Sequence, residues 1–399
     1  MPIEMARVLF NARASTAGGG LTYLRNVLPR LRAIPRSHSF VVAVHHSHFS
    51  EFAAFESDQL KVMPVKDAGV SSRLWQEQAL LRALIASEKI DVLVSLGNFA
   101  LFRSPVPQLL FNRNDLYFSR DFLRDLSNRG LYLQKAGTLL KRAIAKASMR
   151  AADVNVTPTR AFAEKLADYN GGDPDRFEVL RFGFDRAKFS ESTGPLDPSQ
   201  TAALRIGERV RRILHVSHYN YFRNFETLIR ALPLIDEMLK ARTGENALLV
   251  LTTDIRQGKI YGGYDATLAS KLIDQLGVRD RIAMLGEVPY DRLAELYRQA
   301  DLFVCPSYSE SFGHPMLEAM SSGVPVVAAN LPVHREICGE ASLYFDTFDE
   351  KELARECIRV LTDPDLAEKL RTSAEVEICR FSWDDHVKRL VEIIERLKR

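Results

Sequence analysis

The residues best suited to chemistry lie in Ser309–Gly323, SESFGHPMLEAMSSG. Two carboxylates, Glu310 and Glu318, flank a Gly-His-Pro step. The apolar run Leu302–Cys305 precedes this stretch, and the strand-like VPVVAA follows it. Pro315 suits the first turn of a helix, where its missing N–H costs nothing. Gly313 lets the backbone approach a ligand closely. A helix starting here offers unbonded N–H groups and the positive end of its dipole, a natural phosphate site. Glu310 falls in the loop before that helix and Glu318 about one turn inside it, so both carboxylates can face one ligand from different heights. Carboxylates are good acceptors for sugar hydroxyls. For either Glu alone, the plainer alternative is a capping loop with a surface carboxylate.

Strand and helix signals alternate around this stretch. Arg7–Asn11 reads as a strand, and Leu21, Leu24, Val27, Leu28 and Leu31 then recur at helical spacing. Phe40–Val44 predicts a strand, Trp75–Ala86 a helix, and Val92–Val94 and Leu109–Phe111 short buried strands. Leu131–Arg150 predicts a long basic helix, Asp153–Thr157 a strand, and Thr159 to about Tyr169 a helix. After the Pro-, Ser- and Gly-containing stretch Phe189–Gly207 a second series begins. Its strands are read at Ile213–Ser217, Leu248–Thr252, Ile282–Leu285, Leu302–Cys305 and Val324–Ala328. Alternating strands and helices imply parallel sheets with right-handed crossovers. The expectation is an α/β chain of two Rossmann-like domains facing across a cleft, with ligands at the carboxyl ends of strands.

Composition agrees with such a chain. At 399 residues it is too long for one ordinary core. Hydrophobic residues make up 46% and charged residues 26%, as in globular proteins. No apolar run reaches membrane-spanning length, and no signal peptide is read at the start. Four cysteines (Cys305, Cys338, Cys357, Cys379) lie far apart, which predicts neither a zinc site nor a disulfide framework and points to a reducing cytoplasm. Cys305, in its apolar run, reads as a core residue. A net charge of only +3 argues against a general nucleic-acid binder. The charge is uneven: residues 1–185 carry +7 and residues 186–399 carry −4. Most of the excess lies in Arg120–Arg150, with eight Lys/Arg and two Asp. A solvated helix face explains it simply; attraction to an anionic lipid surface or a phosphate-bearing acceptor is the alternative. Leu131, Leu133, Leu139, Leu140 and Ile144 supply an apolar face that could instead pack on the sheet.

Ser309–Gly323 resembles the E-x7-E signature of the family 4 retaining glycosyltransferases, which have the GT-B fold. Similarity extends to AGGGLTYLRNVLPRL (Ala17–Leu31), AADVNVTPTRAFAEKL (Ala151–Leu166), GFDRAKF (Gly183–Phe189) and Leu285–Gly313. The resemblance implies an N-terminal acceptor-side domain over 1–188, a nucleotide-sugar-binding domain over 189–382, and a last helix, 383–399, that crosses back. It implies that Glu318 accepts from the donor ribose, and that Glu310 and the backbone at Gly313 and His314 hold the donor sugar. The N–H groups of Met316 and Leu317 would meet the diphosphate, and Gly18 and Gly19 would let the backbone approach the donor.

Two segments depart from the family. Where its pattern has Gly-Arg and then a Lys, this chain has Ser217, His218 and Arg223. A departing diphosphate needs compensating positive charge. Arg223 supplies a permanent charge with a bidentate fork; His218 supplies one only when protonated, or acts as a neutral hydrogen-bonding residue. Where members often have a His near the sugar, this chain has Asn114 beside Asp115. Asn can orient a hydroxyl but cannot act as a base, which suits the mechanism proposed for retaining members, in which the leaving phosphate takes the acceptor proton. Asp173-Pro174-Asp175 and Asp363-Pro364-Asp365 have the spacing of manganese ligands in a different fold, but the latter reads as a helix N-cap with Pro at the first helical position. No metal and no cofactor is expected. The leading reading is sugar transfer from a nucleotide diphosphate donor to a saccharide, lipid-linked or small-molecule acceptor. Nucleotide-sugar epimerisation and a non-catalytic sugar-nucleotide scaffold are the alternatives.

Overall fold

The computed structural model describes residues 5–16, 18–34, 38–66, 73–190, 194–260 and 263–398. Ala17 of the glycine loop, the first four residues of the chain and residues 191–193 of the expected linker lie outside them. The chain divides into two compact units. One comprises Met1–Phe118, Gly130–Gly183 and Phe381–Arg399; the other comprises Ser119–Arg129 and Phe184–Arg380.

The first unit is built on seven strands: β1 (Ala6–Asn11), β2 (His38–His45), β3 (Leu60–Val65), β4 (Val92–Ser95), β5 (Gln108–Phe111), β6 (Val154–Thr157) and β7 (Phe177–Val179). They lie in the order β3-β2-β1-β4-β5-β6-β7, every pair parallel. Strands covered on both faces read as unbroken apolar runs, as Val8–Phe10 and Val92–Val94 do. One apolar cluster sets Leu81, Leu84 and Ile85 against Leu9, Val41 and Leu93. Another sets Ala145, Met149, Phe162 and Leu166 against Leu110 and Phe177.

The second unit has β8 (Val210–His215), β9 (Asn246–Leu251), β10 (Ile282–Met284), β11 (Leu302–Cys305), β12 (Val326–Ala329) and β13 (Ser342–Phe345). Their order is β10-β9-β8-β11-β12-β13, again all parallel. In both sheets the order reverses beside the first strand, between β1 and β4 and between β8 and β11. Crossovers leave in opposite directions at such a point and open a crevice at the carboxyl ends of the strands. The expected two Rossmann-like α/β units are therefore present. The sequence reading assigned no residues to β3, β7 or β13, each at an edge of its sheet. In β3, Pro64 argues against a central strand, and only an edge tolerates its missing donor.

The helix Trp383–Lys398 belongs to the first unit. It packs on the helix Gly19–Ala33 through Arg30 to Asp384 at 2.7 Å and His386 Nε2 to the Tyr23 hydroxyl at 3.0 Å. His386 Nδ1 donates to the Arg181 carbonyl at 2.7 Å, which leaves Nε2 as the acceptor for Tyr23. Burial pushes this imidazole down to about 4. Gly183 touches the start of the helix so closely that an added Cβ would lie 2.2 Å from the Trp383 nitrogen and 2.4 Å from its Cα. Backbone atoms cannot rotate away as a flexible side chain can. Gly183→Ala is therefore expected to destabilise the chain by about 1–3 kcal/mol, the usual cost of overpacking. Calorimetry should show a lower Tm, with Gly172→Ala unchanged as the control, because Gly172 has room for a Cβ.

Candidate functional site

The loops that leave β8 and β11 adjoin at the reversal point of the second sheet, because those strands pair directly: Ile213 lies opposite Leu302, and Leu214 opposite Phe303. After β8 the chain makes a 3-10 turn, Tyr221–Arg223, and then the helix Phe225–Thr243. The corner between them is Asn224, at φ 56. Asn is one of the few residues that visits this left-handed region readily. The Asn224 amide donates to the Pro306 carbonyl at 3.0 Å and its carbonyl accepts from the Thr227 hydroxyl at 2.8 Å. Tyr308 N–H donates to the Phe222 carbonyl at 3.0 Å, a second tie between the loops.

Arg223 is the third tie. Its Nη1 donates to Ser307 Oγ at 3.3 Å and pairs with Glu310, and its guanidinium lies over the Phe222 ring at 5.1 Å. Desolvation lowers its pKa, yet a guanidinium keeps its charge under all ordinary conditions. Among the described residues its Nε has no partner. The structure thus brings Arg223 and Glu310 together. His218 lies on the same loop, half-buried, with its carbonyl accepting from Ser217 Oγ at 2.9 Å and Asn220 Nδ2 at 3.2 Å.

The helix of the chemistry-rich stretch runs His314–Ser321, with Pro315 in its first turn. Gly313 precedes it at φ 102, a conformation side chains rarely adopt. Met316 N–H donates to the Gly313 carbonyl at 3.1 Å, so in this conformation it is spent within the turn. Met316 and Leu317 side chains are fully buried. His314 lies against Phe312, ring centres 4.7 Å apart, and burial pushes its imidazole down to about 4. Glu318 is buried one turn on, and desolvation raises its carboxyl to about 7 against the opposing effect of a hydrogen bond. That bond comes from the Tyr297 hydroxyl, 2.9 Å from Oε2.

Sequence reasoning missed Tyr297, on the helix Leu293–Arg298. Its signal was weak, a single aromatic in an amphipathic run. It also missed His215, the last residue of β8. There Nδ1 donates to the Val304 carbonyl at 2.9 Å, and burial, reinforced by Arg223, pushes the imidazole down to about 4. Cys305 is buried, as read from its apolar run, with Sγ 3.8 Å from His334 Nε2.

In the first unit the reversal point between β1 and β4 carries the glycine loop. Gly18 takes φ 50 and begins the helix Gly19–Ala33. The protein leaves open space beside Gly19, whereas a Cβ at Gly20 would meet Ser15 at 3.0 Å. Asn114 and Asp115 follow β5. Asn98 Oδ1 accepts from the N–H groups of Arg113 and Asn114, each at 3.2 Å, and Asn114 Oδ1 accepts from Leu116 N–H at 3.1 Å. Asp115 is buried and paired with Lys165 at 2.7 Å, so its carboxylate is already neutralised. Arg113 Nη2 donates to Ser15 Oγ at 2.8 Å, a half-buried cation at this loop that the sequence did not single out. Both Asp-x-Asp triplets act in local structure. Asp363 caps the helix Pro364–Ile378 through Leu366 N–H at 3.0 Å, as read from the sequence. Asp173 caps a 3-10 turn, and Asp175 pairs with Arg160 at 2.6 Å.

Residues 198–376 match the family model of Glycosyl transferases group 1. The D-inositol 3-phosphate glycosyltransferase of Salinispora arenicola is 34% identical over 251 residues, 61% of this chain and 54% of that protein. The match therefore spans about half the length of that curated relative. The sucrose-phosphate synthase of Thermosynechococcus elongatus superposes with a TM-score of 0.74 at 17% identity, over 98% of this chain and 99% of that one. HepE of Anabaena, in complex with UDP and glucose, gives 0.68 at 19% identity, over 98% and 99%. At such identities the likeness is one of fold. The fold is GT-B, two Rossmann-like α/β units, and the sequence similarity to group 1 glycosyl transferases lies in the second of them.

Proposed function

We propose that this chain is a glycosyltransferase that moves a sugar from a nucleotide diphosphate donor to a glycan, lipid-linked or small-molecule acceptor, with retention and without a metal or cofactor. One observation carries the reading: the loops after β8 and β11 place Arg223, Glu310 and Glu318 around the start of one helix at a sheet reversal. Family resemblance and a fold neighbour that holds UDP and glucose support the same donor class. Glu318 accepts from the ribose hydroxyls. Glu310, with the backbone at Gly313 and His314, holds the sugar. Arg223, with His218, balances the charge that builds on the diphosphate as the bond between C1 and the phosphate oxygen breaks. The acceptor oxygen bonds to C1 on the same face, and its proton passes to the leaving phosphate oxygen. Leu317 N–H, at the same helix, serves the diphosphate, and the open space at Gly19 admits the donor. Asn114 orients a sugar or acceptor hydroxyl. The reading includes a reducing, cytoplasmic setting, supported by four unpaired cysteines, and peripheral contact of Arg120–Arg150 with an anionic membrane. Among the described residues no helix is long and apolar enough to cross a membrane.

The test is incubation with a panel of nucleotide sugars and candidate acceptors, followed by product analysis. Free nucleoside diphosphate with a new glycoside is the expected result. An isomerised donor would identify an epimerase, and binding without conversion a scaffold. Activity should survive EDTA; loss with EDTA and recovery with manganese would overturn the metal-free mechanism.

The two carboxylates should separate in calorimetry. Glu318→Ala is expected to weaken intact donor and free nucleoside diphosphate alike. Glu310→Ala should weaken the donor but leave the diphosphate as tight or tighter, because Arg223 loses the carboxylate that competes for it. Equal losses for both ligands in both variants would refute the assignment.

A pH dependence follows from Glu318, whose carboxyl sits at about 7 in the folded chain. The folded state binds this proton more tightly than the unfolded state, so stability falls as pH rises from the ordinary carboxylate range to about 7. The ionised carboxylate is the stronger acceptor for ribose hydroxyls, so donor affinity is expected to rise between about pH 6 and 8. Intact nucleotide sugar is the right probe, because it lacks a titrating terminal phosphate. Glu318→Gln should bind more weakly and lose that rise; a variant keeping the wild-type profile would assign the titration elsewhere.

A further inference from the structure

The basic stretch 120–150 folds as two helices with different surroundings. In the helix Arg120–Asn128, Phe122 and Leu126 are buried, and Arg124 lies over the Phe348 ring. Arg129, which follows, pairs with Asp125 at 2.8 Å and Glu226 at 2.9 Å, above the Tyr221 ring. These groups are already engaged within the second unit.

The helix Tyr132–Ala151, in the first unit, is the reverse of an ordinary surface helix. At about 100° per residue, Ala145, Ser148 and Met149 fall on one face, and that face is buried. Arg142 also turns inward, with Nε donating to the Tyr117 carbonyl at 2.5 Å. The opposite face carries Tyr132, Leu133, Ala136, Leu139, Leu140, Ala143 and Ala147, all exposed. Leu133 is 91% exposed, Tyr132 67%, Leu140 63% and Leu139 41%. Lys135 and Lys146 border this stripe on one side and Arg150 closes its end, while Lys141, exposed, lies off the stripe toward the opposite face. The helix has no Asp or Glu. Among the described residues Lys141, Lys146 and Arg150 form no ion pair.

We propose that this helix docks the chain on an anionic lipid bilayer, lying flat, with Tyr132, Leu133, Leu139 and Leu140 below the headgroups. An apolar stripe rimmed by lysines fits a bilayer interface, because lysine stems lie along the apolar layer while their ammonium groups reach the phosphates. Charge selects this occupant over a second copy of the chain. A two-fold dimer through this face would bring the same cations together with no acidic residue on the helix to answer them. The bilayer answers them with its own charge. Docking is independent of the proposed transfer, and it narrows the basic stretch 120–150 to one helix face.

The experiment is co-sedimentation of the full chain with phosphatidylcholine vesicles, with and without phosphatidylglycerol, at low and high salt. Wild type is expected to bind only the anionic vesicles and to release in high salt. Leu133→Asp with Leu140→Asp, and Lys135→Glu with Lys141→Glu and Lys146→Glu, should each lower binding by about tenfold or more. Their Tm values should stay close to wild type, because Leu133, Leu140 and Lys141 are exposed and Lys135 and Lys146 are only half-buried; if the Asp pair loses stability, Leu133→Gln with Leu140→Gln replaces it. Equal binding to neutral vesicles, or wild-type binding by the variants, would overturn the proposal. So would failure to bind vesicles, together with a lipid-free dimer that the Leu variants convert to monomer, since the face would then belong to a second copy.

Discussion

The candidate site depends on the stitching of two loops at the reversal point of the second sheet. Pairing of β8 with β11 sets their outgoing chains side by side, but pairing alone does not orient a side chain. Three bonds do: Tyr308 N–H to Phe222, Asn224 amide to Pro306, and Arg223 to Ser307. Asn224 makes the corner possible. A residue with positive φ has a conformational cost, and here its two side-chain bonds offset that cost. Arg223 is the residue immediately before this corner, so the strained turn and the cation are positioned by one device.

Charge follows from that placement. An unpaired guanidinium in this setting would be costly, and the fold answers it with Glu310. In the proposed function an arriving diphosphate would exchange one anion for another around Arg223 and leave Glu310 available for neutral hydroxyls. Glu318 is handled differently. Among the described residues no cation pairs with it; burial raises its carboxyl, and the Tyr297 hydroxyl favours the charged form. A carboxyl balanced near neutrality can give up its proton when hydroxyl donors arrive. The two carboxylates, eight positions apart, are thus held ready by different physics: one by an ion pair, the other by desolvation.

Much of the fold was legible because buried parallel strands are unbroken apolar runs. The central strands β1, β4, β5, β8, β9 and β11 all announced themselves in this way. Of the edge strands only β10 did. β3 alternates exposed and buried residues and contains Pro64, and β13 is only partly buried. The E-x7-E stretch was legible for a different reason, since Gly313, Pro315 and the two Glu carry local conformational meaning. Asn224, Tyr297 and His215 were not, because their roles come from partners far away in sequence: Pro306, Glu318 and Val304. Asp115 shows the same limit from the other side. Named for the sugar or acceptor side, it is buried and paired with Lys165, fifty positions on, a partner that local pattern does not reveal.

The basic stretch 120–150 shows where composition stops being informative. Its apolar residues recur at helical spacing whichever way they face, and a helix period does not say which side is inward. Leu126 and Leu133 are alike in the sequence, yet one is fully buried and the other almost fully exposed. The difference comes from their neighbours. Around Arg120–Asn128 the second unit supplies Phe222 and Phe348, and Glu226 for the Arg129 that follows; around Tyr132–Ala151 the inward contacts are made by Ala145, Ser148 and Met149. A helix that packs through so few residues and keeps its leucines outside has its larger apolar surface still in water. The fold does not need that surface for its own core, and the proposed docking on a bilayer would give it a use.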